Sequence, residues 1–345
     1  MSKVLVITPA YCTEENCRLP LLLQTIYWVQ QQTYKDYLHI VVDDGSTDST
    51  MEVLERVSRA DPNLKVFSKE NGGSSRAINY GLEQALLLTK PDYITVCHSD
   101  DLLLPNSLDV RVQLASKTGA DFVYTDSLII FDSCLPPKRK RSWTYSTPDE
   151  LFRALLQDRS LPYVTMFWSA DFFLHKLQGY DSRLTSAEDW DIAIRSAKEL
   201  AAMRAIHATT NCMTVAKRRH KNSLTHQNLR DGTRERCDEI ILKKHLNDNE
   251  YQAMITRARP TRPQYKSRRQ KVLARVAELQ RPRVLHNALK FIYNISNKVE
   301  IDPCAKVFLK KIKKVNYEKL YGLALAARRT QGLEEKAPCI HDGGQ

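Results

Sequence analysis

The sequence predicts an α/β fold: a mainly parallel sheet flanked by helices, followed by a basic helical region. Short β-branched apolar runs recur along the first third of the chain, and each ends at a polar turn. Each turn is followed by apolar residues at helical spacing, the strand-then-helix order that builds a parallel sheet. The net positive charge, by contrast, lies in the C-terminal third.

Val4-Leu5-Val6-Ile7 predicts a buried parallel strand closed by Thr8-Pro9, with a helix over 19–31. Leu38 to Val42 is the second strand, stopping at Asp43-Asp44-Gly45-Ser46-Thr47-Asp48 before an amphipathic helix from Ser49 to Ala60. Leu64 to Phe67 is the third, followed by Asn71-Gly72-Gly73 and a helix from Ser75 to Leu88. Tyr93 to Cys97 is the fourth, and it ends at His98-Ser99-Asp100-Asp101. Open parallel sheets bind ligands beyond the carboxyl ends of their strands, where these polar clusters fall.

Further along, Phe122 to Phe131 predicts another strand and Pro136 to Arg141 a basic loop. Tyr163 to Ser169 is an apolar run, and Glu188 to Leu200 a helix with Trp190, Ile194 and Ala197 facing the core. Met213 to Ala216 reads as a short strand leading into Lys217-Arg218-Arg219-His220, and from about 227 the texture becomes helical and charged.

At 345 residues, 42% apolar and 27% charged, with 11 Gly and 14 Pro, the chain is too apolar to be disordered and too poor in glycine to be collagen-like. No run approaches the ~20 apolar residues that cross a bilayer, and the first residues enter a strand without a signal-peptide pattern, so a cytoplasmic protein is expected. Eight cysteines at 12, 17, 97, 134, 212, 237, 304 and 339 form no Cys-x-x-Cys pair, which predicts free, mostly buried thiols. Of the net charge of +12, residues 257–331 hold 20 Lys and Arg against 4 acids. Residues 1–256 hold 31 basic against 33 acidic side chains.

Several clusters suit chemistry, and each has a plainer alternative. Asp43 and Asp44 can accept hydrogen bonds from a base or ribose, while Ser46, Thr47 and Asp48 suit a turn and helix cap. Adjacent acids at Asp100 and Asp101 favour a divalent cation such as Mn²⁺ or Mg²⁺, or else cap a helix opening at Leu102. Asn71 to Ser75 could offer backbone N–H groups to a phosphate beside Arg76, or form only a loop. Glu188-Asp189 at a helix start suits a general base, although acids in a first turn also answer the helix dipole; Asp191 reads as a surface acid. His220 suits a metal ligand or a solvated basic loop.

Taken in order, VLVITPAY (4–11), IVVDDGSTDST (40–50), ENGGSSRAINYGLEQA (70–85), HSDD (98–101), GYDSRLTSAEDWDIAIR (179–195) and RRHKNSLTH (218–226) resemble the family 2 glycosyltransferases. The resemblance covers residues 1–226 and implies a GT-A fold, a Rossmann-like sheet that binds a nucleotide-sugar, with UDP favoured. It implies that Thr8, Tyr11, Asp43 and Asp44 face the base and ribose, with Arg76 and Asp100 beside the nucleotide. It places Asp101 at the metal position, Asp189 as catalytic base with Glu188 beside it, and His220 as a metal or diphosphate contact. His98 stands where many relatives carry the first aspartate of the metal motif, Cys12 replaces a frequent Asn, and Ile78 a frequent Arg.

The implied organisation is a catalytic domain at 1–226, a basic helical region at 227–331 and a disordered tail at 332–345. Residues 269–331 mix Lys and Arg with apolar side chains, which suits a peripheral contact with an anionic membrane and a lipid-linked or glycan acceptor. The competing reading is a nucleotide-binding module without catalysis whose basic tail binds nucleic acid, though no nucleic-acid motif accompanies the charge.

Overall fold

The computed structural model describes residues 2–131, 137–158, 161–220 and 223–256. The basic stretch at 269–331 and the tail at 332–345 lie outside the described residues.

Strand β1 (Val4–Ala10) is followed by α1 (Leu19–Gln30), β2 (Tyr37–Asp43), α2 (Thr50–Arg59), β3 (Leu64–Ser68), α3 (Ser74–Leu88) and β4 (Tyr93–Val96). All seven residues of β1 and all seven of β2 are buried, as expected for strands covered on both faces. β1 pairs in parallel with β2 on one side and β4 on the other, and β2 pairs in parallel with β3. The chain therefore winds outward from β1 to β3 and then returns across β1 to β4. That reversal opens a crevice beyond the carboxyl ends of β1 and β4.

The second half completes the sheet in mixed orientation. After β5 (Leu102–Leu103) and α4 (Ser107–Thr118) come β6 (Phe122–Phe131), β7 (Lys138–Lys140), α5 (Pro148–Asp158) and β8 (Phe167–Ser169). A single turn, α6 (Ala170–Phe172), runs into a π-helical turn at Phe173–Leu177, followed by α7 (Glu188–Met203), β9 (His207–Arg219), α8 (Leu224–Arg230), α9 (Thr233–His245) and α10 (Asp248–Thr256). The order across the sheet is β3-β2-β1-β4-β8-β6-β9-β5, with β7 on β6. β8 is antiparallel to both β4 and β6, whereas the longest pairing, β6 with β9, is parallel.

Three local expectations change. Lys138 to Lys140 is not a loop but a strand, because it completes an antiparallel arm on Ser127–Ile129. The short strand at Met213 is part of a 13-residue strand that carries Lys217, Arg218 and Arg219 within it, since β6 supplies a partner along its whole length. Tyr163 to Ser169 divides into a 3-10 turn at Tyr163–Thr165 and β8.

One main core cluster joins the sheet to α3, α5 and α7 through residues such as Ile40, Ile78, Leu155, Trp168 and Trp190. Cys237, Ile241 and Leu242 of α9 belong to it as well, so the described residues past 226 share the core of those before it. Cys12, Cys97 and Cys237 are buried free thiols, while Cys17 is exposed.

Candidate active site

The floor of the crevice is the turn after β4. Cys97 N donates to Ile7 O at 2.9 Å and Asp101 N to His98 O at 3.0 Å, which folds the turn against β1. The chain then enters β5, not a helix, so the helix-cap alternative for Asp100 and Asp101 does not hold; α4 begins only at Ser107.

Asp101 is 2% exposed and its Oδ1 accepts from Arg218 N at 2.9 Å. The Arg218 guanidinium donates to Asp100 O at 3.2 Å and to Gln24 Oε1 of α1 at 2.7 Å. One residue of β9 thus ties the acidic turn to α1. Asp100 Oδ2 lies 2.9 Å from His220 Nε2. Burial and then the charge of Asp100 hold Asp101 above the ordinary carboxylate range. Burial acts on Asp100 too, but His220 and the charge of His98 overcome it and hold that carboxyl low.

The second wall is the start of α7. Ala187 adopts φ 64°, a left-handed conformation that costs a non-glycine residue about 1–2 kcal/mol. Its carbonyl accepts from Trp190 N at 2.9 Å and Asp191 N at 3.1 Å, and Trp190 Nε1 donates to Leu155 O at 2.7 Å. The strained residue and the anchored indole fix the first turn on which Glu188 and Asp189 stand. Asp189 Oδ2 lies 3.4 Å from His98 Nε2 of the β4 turn.

Charge ties the two walls together. Burial opposes the ionised form of Asp189, but the charge and hydrogen bond of His98, then Lys217 and Arg234, bring its pKa below the ordinary value. Burial likewise works against a charged His98, and Asp189, Glu188 and Asp101 outweigh it, raising the ring to about 10. Burial and the charge of Asp189 raise Glu188.

The base-and-ribose candidates are disposed unevenly. Tyr11 is 38% exposed and Arg76 is exposed at the first turn of α3. Thr8 has no exposed surface, and its hydroxyl pairs with His39 Nε2 at 2.9 Å, so its side chain is not presented to a ligand. Asp43 braces its own turn, accepting from Ser46 N at 3.1 Å and Ser68 Oγ at 3.3 Å. Asp44 accepts from Lys69 Nζ at 2.8 Å, Gly72 N at 3.0 Å and Gly73 N at 2.7 Å. The N–H groups expected to meet a phosphate at Gly72 and Gly73 therefore already hold a carboxylate.

Asp191 is the clearest correction. It is wholly buried, and its carboxylate meets Arg195 Nε at 2.8 Å, Lys244 Nζ at 2.9 Å and His245 Nε2 at 3.0 Å. Sequence reasoning missed this node because two of its three partners, Lys244 and His245, sit on α9, more than 50 residues away; only Arg195, four residues on in α7, was within reach of the sequence pattern. It also missed Arg218 as the strap of the acidic turn, since a backbone N–H carries no residue-type signal.

Among the described residues no group of three or more His, Cys, Asp or Glu side chains is arranged to hold an ion. The donor set nevertheless fits a hard divalent cation with an incomplete protein shell. Asp101 is a buried carboxylate disfavoured in its charged form by its neighbour, and a cation with phosphate oxygens would offset that. His220, whose Nε2 is engaged by Asp100, supports that carboxylate in this arrangement.

The Glycosyl transferase family 2 profile matches residues 5–177, half of the chain. The chain belongs to the glycosyl transferase family 2. It is 33% identical over 119 residues to glycosyltransferase GlyG of Streptococcus pneumoniae serotype 4, covering 34% of this chain and 36% of that one. It is 26% identical over 166 residues to a chondroitin synthase of Pasteurella multocida, covering 48% of this chain and 16% of that one. The matched segments thus span well under half of these relatives. Among solved structures, S. aureus TarS residues 1–349 superposes with a TM-score of 0.50 at 19% identity, covering 71% of each chain. The same protein in complex with UDP-GlcNAc gives a TM-score of 0.51 at 17% identity, covering 72% and 69%. The likeness establishes a GT-A fold.

Proposed function

We propose that the chain is an inverting glycosyltransferase that moves a sugar from a nucleoside-diphosphate donor to a hydroxyl of a glycan, lipid-linked or other acceptor. The observation that carries this reading is the 3.4 Å approach of His98 to Asp189, because it sets the carboxylate of α7 in the same crevice as the Asp100-Asp101 turn.

Asp189 is the base. Its carboxylate stays ionised at neutral pH and accepts the acceptor's proton as the hydroxyl attacks the anomeric carbon. Attack from the face opposite the leaving diphosphate inverts the centre. Glu188, whose carboxyl is raised above its ordinary range by burial and by the charge of Asp189, stands beside the base. Lys217 and His220 supply positive charge and a hydrogen bond where negative charge grows on the leaving oxygens. Tyr11, Asp43, Asp44 and Arg76 form the base and ribose side with Asp100, Asp44 acting through the turn it holds and Thr8 from behind, as part of the strand.

Asp101 would hold Mn²⁺ or Mg²⁺, with His220 as the candidate second contact. When bound, the ion supplies Lewis-acid stabilisation of the diphosphate. A UDP-sugar is the first donor to test, a choice supported by the UDP-GlcNAc complex of TarS. A cytoplasmic enzyme with a peripheral contact to the inner membrane face through residues 269–331 is consistent with the sequence. No helix among the described residues is long and apolar enough to cross a membrane.

The test is a panel of UDP-, GDP- and dTDP-sugars with Mn²⁺, read by thermal shift and by release of nucleoside diphosphate. One nucleotide class should raise the melting temperature and yield metal-dependent release that a chelator abolishes. Undiminished release in excess chelator rejects the metal, and no binding or release across the panel rejects the transferase reading. Salt-dependent binding of nucleic acid without donor cleavage would instead favour the non-catalytic module.

A further inference from the structure

His98 is the one cationic side chain of the acidic turn, and it makes its contact outside that turn. Its ring leaves the end of β4, crosses the crevice and meets Asp189 Oδ2 at 3.4 Å, with side-chain exposures of 22% and 21%. The turn beneath it is immobilised by Asp101 N on His98 O, by Arg218 on Asp100 and Asp101, and by Thr25 Oγ1 on Asp101 O at 2.8 Å. The helix opposite is fixed by Ala187 and Trp190. Two rigid elements thus present one imidazole to one carboxylate, within a cluster that also holds the acids Asp100, Asp101 and Glu188 and, from β9 and α9, the cations Lys217 and Arg234.

We propose that His98 is the positioning residue of the base: its imidazole ring orients the Asp189 carboxylate and holds the β4 turn to the start of α7 across the crevice. The proposal rests on the reading of Asp189 as base. A hydrogen-bonding ring serves this purpose where an aspartate would not, because a carboxylate at 98 would stand against Asp189 with Glu188, Asp100 and Asp101 close by. Position 98 is therefore assigned to the base and not to the cation, although the family pattern places a metal-motif aspartate there.

The two assignments predict opposite rankings for one substitution. If His98 serves Asp189, His98→Asn lowers kcat roughly 10- to 100-fold, the range for loss of a supporting hydrogen-bond partner, with donor KM near wild type. His98→Asp then falls at least about tenfold below His98→Asn. If position 98 serves the cation, His98→Asp equals or exceeds wild type in turnover and in Mn²⁺ affinity, and that ranking overturns the proposal. Turnover is read as diphosphate release from the sugar-nucleotide panel and binding as UDP titration by calorimetry.

A second arm needs no donor. In thermal unfolding of the full chain, His98→Asp should lower the midpoint more than His98→Asn, and adding Asp189→Asn should recover most of that extra loss. Equal midpoints for the two His98 variants, or no recovery, overturn the pairing itself. A wild-type chain that cleaves no donor of the panel removes the transferase reading, and with it any base to position. The unfolding arm then still decides whether positions 98 and 189 are coupled.

Discussion

Asp189 and Asp191 stand two residues apart in the first turn of α7, which at 3.6 residues per turn sends them to opposite sides of the helix. One meets His98 in the crevice and the other is enclosed by Arg195, Lys244 and His245. Identical side chains are thereby given different work. Asp189→Asn should lower transfer by roughly 10²–10⁴-fold, the contribution of a positioned base, while UDP affinity measured by calorimetry stays near wild type. Asp191→Asn takes the anion from a half-buried arginine and a solvent-facing lysine, and losing a hydrogen bond to a charged group costs about 1.5–3 kcal/mol. The pH dependence follows from the same contacts. Burial opposes ionised Asp191, but His245, Arg195 and Lys244 overcome it and hold the carboxyl down to about 2. A lowered folded-state pKa contributes stability that is present above the unfolded value of roughly 4 and disappears as pH falls toward the folded value. Urea unfolding should therefore show a constant gap between wild type and Asp191→Asn from pH 7 to 5, closing only below about pH 4. Nothing in the run Glu188-Asp189-Trp190-Asp191 distinguishes the two aspartates, because the difference lies in α9.

At the level of elements, the seat of α3 depends on how closely its backbone can approach the sheet. Gly81 faces β1 and β2, and a Cβ there would stand 2.8 Å from Val42 Cγ2 and 3.1 Å from Ile7 Cγ2. Gly81→Ala gains up to about 1 kcal/mol of helix propensity, but overpacking of rigid β-branched neighbours costs about 1–3 kcal/mol. A lower melting temperature by calorimetry is expected, with the retained fold checked by circular dichroism. The same packing explains which elements were legible. β1, β2 and β4 are buried on both faces, so their residues are continuous apolar runs that no amphipathic helix would carry. β9 shows no regular apolar alternation, with Thr209, Thr210 and Asn211 in succession, and ends in Lys217, Arg218 and Arg219, so its strand character comes from its partner β6. The acidic turn was legible as an acidic turn, but its straps were not. Arg218 reaches it from 117 residues away, and Asp44 turns a glycine loop that looked ready for phosphate into one already occupied by a carboxylate.

Across the whole molecule, the strand order concentrates chemistry at one edge. The reversal at β1 brings the β4 turn, the end of β9 and the start of α7 to a single crevice, although they are spread from His98 to His220 in the chain. Charge is distributed in the opposite manner. Residues 1–256 are nearly balanced, with 31 basic against 33 acidic side chains, whereas residues 257–331 carry 20 against 4. A balanced catalytic part has no strong long-range attraction for a polyanion, so any such attraction belongs to the C-terminal stretch. Each basic residue near an anionic lipid surface contributes about 1 kcal/mol, and a Debye length of about 3 Å at 1 M salt removes most of that. The full chain should therefore co-sediment with phosphatidylserine vesicles at low salt, release from them near 1 M salt, and ignore phosphatidylcholine vesicles. Neutralising Lys310, Lys311, Lys313 and Lys314 to Gln should weaken this binding, read as a smaller co-sedimenting fraction at the same low salt. Failure to co-sediment at low salt would end the membrane proposal while leaving the crevice and its acids as they stand.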